Sequence, residues 1–415
     1  MSSLRDASRP AAGTTDVNVV PLVDPAHARH VYRGHKSEFP AQQRDAIVHV
    51  VGARPNFVKM APIITALGAR HTFRQVIVHT GQHYDKKLSE DVLADLDFPA
   101  VDRFLGVGSG SHGEQTAKVI SMFEEVLLEE RPVAVVVAGD VNSTLACALV
   151  AAKLGIPVAH IESGLRSGDW TMPEEVNRVL TDAISDLLFT HSPEGEANLA
   201  AEGIGADRVH YVGNTMIDSL RRCERRARGR AVWLDIGLRE RTYVLVTLHR
   251  PSNVDDAGQL GRIVESLLEL ASRHPVVFPI HPRTRNKLAS MGALERLEGA
   301  GVRCIEPLGY LDFLSLQAGA GAILTDSGGV QEESSALGIA CFTLRPNTER
   351  PVTITHGTNV LLGDDASLIA SVRPPVWEPT PSAIPLWDGH AAERVADVLV
   401  ANYAVLRING AAATA

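Results

Sequence analysis

The sequence predicts an α/β protein in which two doubly wound parallel sheets face each other across a central cleft. Three observations carry this expectation. Short β-branched runs alternate with segments of helical apolar spacing, the alternation restarts after a basic helical stretch near mid-chain, and polar residues gather where the apolar runs end. With 415 residues, 45% of them hydrophobic, the chain is long enough to bury two cores.

Residues 1–44 are rich in Ser, Ala, Pro, His and charge without a sustained period, and are expected to form a disordered leader. Order is expected from the run Ala46 to Val51, which ends at Gly52-Ala-Arg-Pro and is followed by helical spacing from Phe57 to Leu67. The strand–turn–helix unit recurs at Gln75, at Pro132 with a helix from Ser143 to Leu154, and at Pro157. These units make a first domain over 45–212. After the basic stretch Arg221 to Arg230, new strands begin at Tyr243, Pro275, Val302 and Gly321, in a second domain over 213–386. A Pro-rich segment, Pro374 to Pro385, then leads into a last helix, Ala391 to Leu406, within a closing segment 387–415 that crosses back to the first domain.

The composition excludes several classes. The formal net charge is −9 and no basic stripe is evident, so nucleic acid is not an expected partner. Cys147, Cys223, Cys304 and Cys341 lack CxxC spacing, which fits a reducing compartment and no structural zinc. The apolar runs are strand-sized, and Asp6, Arg9 and Asp16 interrupt any signal-peptide pattern, so the expectation is a soluble cytoplasmic protein without a membrane partner.

The stretch Thr325-Asp-Ser-Gly-Gly-Val-Gln-Glu-Glu333 organises the candidate site. It lies between a short strand and a helix N-terminus, where free N–H groups and the positive end of the helix dipole meet. Ser327, Gly328 and Gly329 let a phosphate approach the backbone, and Glu333, about one turn on, can take two ribose hydroxyls. Together they point to a nucleoside diphosphate, against the plainer reading of a tight strand–helix connection. Arg54 and Lys59 flank the first strand–helix turn, where they bind a diphosphate or are solvated surface cations. Asp140 ends an apolar strand, and is an acid or only a partner of the next helix N-terminus. Glu162 ends another strand and either acts in the cleft or pairs with Arg166. Glu174 opens a helix that carries Arg178, where an acidic first turn also serves the helix dipole. Carboxylates crowded into one cleft acquire separated pKa values, which suits proton transfer at a weak carbon acid. His249-Arg250 and His281-Pro-Arg283 end two strands of the second domain and favour a polyanion; a zinc site from the two histidines lacks the usual spacing. His83 and His191 have weaker cases, Arg350 is a phosphate contact or a loop salt bridge, and Gly106 to Ser111 is too loose for a dinucleotide fingerprint.

Taken in order, the blocks GARPNFVKMAP, HTGQHYD, AGDVNSTLA, HIESGLRSGD, PEEVNRVLTD, VGNTMIDSL, LHRPSN, PLGYLDFL and TDSGGVQEESSALG…TERPVTITHGTN resemble the non-hydrolysing UDP-N-acetylglucosamine 2-epimerase family, over residues 46 to 363. The resemblance implies two Rossmann-like domains related to the GT-B glycosyltransferases, with the nucleotide between them. It implies interconversion of UDP-GlcNAc and UDP-ManNAc through UDP elimination and a bound 2-acetamidoglucal, without metal or redox cofactor, by a homodimer. By motif position, Asp140, Glu162 and Glu174 match the family's catalytic carboxylates and His249 its active-site histidine. Arg54, Lys59, Ser327, Gly328, Gly329, Glu333 and Arg350 match UDP-binding positions, with Phe313 near the uracil; Arg178 is added from the helix face. The sequence departs from the family at Asn56, at Pro251-Ser252, and at Tyr84-Asp85, where some members bind an activating second UDP-GlcNAc. Alternatives are a hydrolysing 2-epimerase, a 2-epimerase of a related UDP-sugar such as a 2,3-diacetamido uronic acid, a GT-B glycosyltransferase, and a non-catalytic UDP-sugar binder.

Overall fold

Among the described residues, thirteen short strands form two sheets, and every strand pair in both is parallel. The computed structural model describes residues 45–82, 92–374 and 383–412. The expected leader, His83 with Tyr84 and Asp85, and most of the Pro-rich segment lie outside the described residues.

The first sheet comprises β1 (Ala46–Val51), β2 (Arg74–His79), β3 (Arg103–Phe104), β4 (Ala134–Ala138), β5 (Val158–Ile161), β6 (Leu187–Thr190) and β7 (Val209–Tyr211), in the order β3-β2-β1-β4-β5-β6-β7. The second comprises β8 (Val244–Thr247), β9 (Val276–Pro279), β10 (Arg303–Ile305), β11 (Ala322–Thr325), β12 (Ala340–Thr343) and β13 (Asn359–Leu361), in the order β10-β9-β8-β11-β12-β13. The central strands are buried on both faces, as their unbroken Val, Ile and Ala content requires under helices on either side. One polar side chain in β1, His49, is fully enclosed, and burial pushes it down to about 4, so it is a neutral core residue.

Strand order reverses in each sheet between its first strand and the one that returns beside it: β1 with β4, Ile47 opposite Ala134, and β8 with β11, Thr247 opposite Thr325. Crevices outside the carboxyl ends of strands at such reversals are where open α/β sheets bind ligands. The chain leaving β1 and β4 carries Arg54 and Asp140; the chain leaving β8 and β11 carries His249 and Ser327.

Helices α1 (Arg54–Gly68), α2 (His112–Glu130), α3 (Asn142–Lys153), α4 (Pro173–Ile184) and α5 (Pro193–Ala201) accompany the first sheet. Helix α6 (Thr215–Arg230) packs on α1 and also on α7 (Tyr310–Gly319) and α8 (Gly328–Leu337), so it ties the two sheets together. Asn214 caps it by accepting from Met216 N at 2.9 Å, and Ser219 Oγ donates to Val58 O at 2.6 Å. Gly213, at φ +89, precedes it; a Cβ there would collide with the carbonyl of Leu386, which passes alongside. That carbonyl belongs to the segment entering α9 (Ala391–Ala412), which lies against α1. Asp218 of α6 accepts from the backbone N–H groups of Ala391 and Ala392 at 3.2 and 2.6 Å and so caps α9. Burial still lifts its carboxyl to about 6, against those two donors. Among the described residues no helix is long and apolar enough to cross a membrane.

Candidate active site

The two reversal points meet. Lys59 of α1 forms a buried ion pair with Glu162 after β5, and Arg350 of the second domain donates from Nη2 to the same carboxylate at 3.0 Å. Glu162 adopts φ +68, a left-handed conformation that costs a non-glycine residue energy and that clusters at functional sites. Burial raises its carboxyl, but Lys59 and Arg350 outweigh this and hold it below the usual carboxylate range. The alternative pairing with Arg166 is not adopted: Arg166 binds Asp182 at 2.8 Å and Glu202 at 2.6 Å instead.

Asp140 stands two residues before α3, and its carboxylate pairs with Arg178 of α4 rather than capping the helix. Its backbone is held as well, since Asn177 Nδ2 donates to Asp140 O at 2.9 Å. The preceding Gly139 carbonyl accepts from His160 Nε2 at 2.9 Å, and His160 Nδ1 binds Asp182 at 2.7 Å. Arg178 also interacts with Glu349 and Arg350, which brings Asp140 to the edge of the Lys59–Glu162–Arg350 cluster.

Glu174 is exposed in the first turn of α4, one turn ahead of Arg178 and on the same face. The buried acid of that turn is Glu175. It accepts from Ser167 N and Gly168 N at 2.9 Å each and from Arg178 Nη1 at 2.7 Å, so it shapes the loop 167–172 and steadies the arginine. Asn56 is likewise structural: its side chain accepts from Gly52 N and Ala53 N and donates to Ala138 O, joining the turns after β1 and β4.

In the second domain, Asp326 is fully buried after β11 and accepts from the backbone N–H groups of His249 and Arg250 at 3.0 and 2.9 Å. His249 Nδ1 lies 3.1 Å from the same carboxylate while its ring stays half exposed at the cleft. His281 sits nearby; burial lowers its pKa first, and the charges of His249, Arg283 and Arg54 lower it further, so Arg54 reaches this side from α1. Ser327 precedes α8, whose first N–H groups have no acceptor within the helix. Arg350 lies against this terminus, since a Cβ on Gly328 would strike its guanidinium. Glu333 is buried on the same helix, accepts from Gln317 Nε2 at 2.7 Å, and is pushed by burial up to about 7. Phe313 lies one turn before Gln317 on α7, half-buried against the core.

The contacts of Glu332, Asp326, Glu349 and Glu175 go beyond what the sequence assigns, and His191 gains a partner that its weaker case does not foresee. Asp326, Glu332, Glu349 and Glu175 stand inside the motif blocks, and His191 follows a buried strand at the ligand edge, the one signal that marks it.

A family model for UDP-N-acetylglucosamine 2-epimerase matches residues 65–400. The UDP-N-acetylglucosamine 2-epimerase of Methanocaldococcus jannaschii is 42% identical over 358 residues, covering 84% of this chain and 97% of that protein. This chain belongs to the UDP-N-acetylglucosamine 2-epimerase family. Its fold agrees with the crystal structure of the M. jannaschii UDP-GlcNAc 2-epimerase in complex with UDP-GlcNAc and UDP, at a TM-score of 0.78 and 41% identity over 86% of this chain and 99% of the other. A relative named for a different sugar nucleotide is almost as similar. The UDP-2,3-diacetamido-2,3-dideoxy-D-glucuronate 2-epimerase of Pseudomonas aeruginosa is 41% identical over 359 residues, covering 85% of this chain and 99% of that protein. The two Rossmann-like sheets of this chain turn their carboxyl edges to the site where Glu162, Asp140 and Arg350 come together.

Proposed function

We propose that the chain interconverts UDP-N-acetylglucosamine and UDP-N-acetylmannosamine by inversion at C2, without hydrolysis. The observation that carries this reading is the buried contact of one carboxylate, Glu162, with cations from both domains, Lys59 and Arg350, beside the N-terminus of α8. Such a contact supports a site in which proton transfer and diphosphate binding occur side by side, as the reaction demands.

A carboxylate takes the C2 proton as the C1–O bond breaks, and the electron pair leaves with the diphosphate. UDP and 2-acetamidoglucal are the products of that step. Return of a proton to the opposite face of C2, with re-addition of the diphosphate oxygen to C1, completes the inversion. A proton and a phosphate oxygen move but no hydride, so the route calls for no redox cofactor. Asp140, Glu162 and Glu174 are assigned to the proton steps together with His249, and Arg178 fixes Asp140. Arg54, Lys59, Arg350, Ser327, Gly328 and Gly329 are assigned to the diphosphate, whose charge grows as the bond breaks. Glu333 is assigned to the ribose and Phe313 to the uracil.

The P. aeruginosa relative favours a second reading, the same inversion on a UDP-2,3-diacetamido uronic acid. Incubating the purified chain separately with each sugar nucleotide distinguishes the two. UDP-GlcNAc is expected to give UDP-ManNAc with no free N-acetylmannosamine. Turnover of the uronate alone would transfer the assignment to the second reading, and free sugar growing in proportion to enzyme would make the chain a hydrolase.

A further inference from the structure

Arg350 is gripped from three sides, and the three carboxylates are not equivalent. Glu349 Oε1 and Oε2 already accept from Arg345 at 2.9 Å each. Glu162 is shared with Lys59 and belongs to the first domain. Glu332 accepts from Arg350 Nε at 2.8 Å, is fully enclosed, and lies on α8 itself.

The placement along α8 gives Glu332 a direction of action. Gly328 and Glu332 are four residues apart and so share a helix face. Arg350 runs along that face, with Nε at Glu332 and Nη1 against Gly328, at the helix N-terminus. The guanidinium is planar, so fixing Nε fixes where its Nη edge points. A second anchor comes from the other domain. His191, the first residue after β6, places Nε2 3.0 Å from the same oxygen, Glu332 Oε1. Its backbone carbonyl accepts from Trp387 Nε1 at 2.9 Å, which fixes it in turn. Burial opposes ionisation of Glu332, yet Arg350 and His191 outweigh it and hold its carboxyl well below the usual carboxylate range.

We infer that Glu332, steadied by His191 of the facing domain, is a positioning residue that aims the Arg350 guanidinium across the N-terminus of α8 at a diphosphate. It acts through Arg350 and does not itself meet the ligand, since a carboxylate would repel phosphate. Because His191 follows a strand of the first sheet and Glu332 lies on a helix of the second domain, the aim is complete only while the two domains are together. The inference rests on the functional reading above in one respect, the diphosphate.

The test is calorimetric binding of UDP and of uridine to the full chain, its Glu332→Gln variant and its His191→Gln variant. Uridine shares the base and ribose contacts but has no diphosphate, so damage to the nucleoside pocket weakens both ligands while loss of aim weakens UDP alone. Glu332→Gln is expected to weaken UDP by roughly tenfold or more and to leave uridine within about twofold. His191→Gln, which leaves the carboxylate in place, is expected to show a smaller shift of the same kind and serves if the first variant does not fold. Added to Arg350→Ala, Glu332→Gln should cost no further UDP affinity, because its target is gone. Unchanged UDP affinity in both variants, or equal weakening of UDP and uridine, would overturn the inference. Wild-type chain that binds uridine but not UDP would overturn the diphosphate site itself, and the functional reading with it.

Discussion

Asp140→Asn is expected to lower kcat by about a hundredfold or more while changing the affinity for UDP by less than about fivefold. The amide fills the same space and can still accept from Arg178, but it cannot take or return a proton. Arg178 keeps its second carboxylate, Glu175 at 2.7 Å, and Asn177 still holds the backbone of residue 140, so the local structure has two independent supports. The check is turnover of UDP-GlcNAc followed beside calorimetric titration with UDP. A variant that loses UDP binding to the same extent as turnover would make Asp140 a structural partner of Arg178 and remove it from the proton steps.

Arg350→Ala is expected to act on binding and stability together. The guanidinium is buried, and its charge is held by Glu332 first, then Glu162 and Glu349. Removing it leaves two enclosed carboxylates, Glu162 and Glu332, short of a cation, a change that costs about 3–5 kcal/mol when a buried pair is broken. Glu162 retains Lys59 and Glu332 retains His191, which places the expected loss near the low end, about 3 kcal/mol. UDP affinity is expected to fall by roughly a hundredfold, because a charge-assisted contact with the diphosphate is lost from the terminus of α8. Chemical denaturation and UDP titration measure the two effects separately. Full UDP affinity in a destabilised variant would leave Arg350 as an ion-pair residue and nothing more.

The fold class was legible because its signal is local. A strand such as Val135-Val-Val137, enclosed on both faces, is written as an unbroken β-branched run, and each run is followed by its helix. The candidate site was legible only in part, because its decisive contacts span the chain. Glu162 and Arg350 are 188 residues apart, and nothing near Glu162 marks Arg350 as its partner over the closer Arg166. Arg166 is claimed by Asp182 and Glu202, a choice made by packing. Glu174 and Glu175 show the same limit: three- and four-residue spacings both reach Arg178, and the loop donors Ser167 and Gly168 determine that Glu175 is the one enclosed. Glu332 is not legible in the sequence, because the helix N-terminus that carries it signals phosphate donors while its carboxylate faces inward to Arg350 and His191.

The most direct test of the central claim, epimerisation by elimination and re-addition, is proton NMR of UDP-GlcNAc incubated with the purified chain in D2O. The account predicts UDP-ManNAc whose C2 carries deuterium, with deuterium also entering the recovered UDP-GlcNAc, because the proton taken from C2 exchanges with solvent before return. UDP-ManNAc that retains the original C2 hydrogen, or UDP-GlcNAc bound for hours with neither product nor exchange, would contradict it.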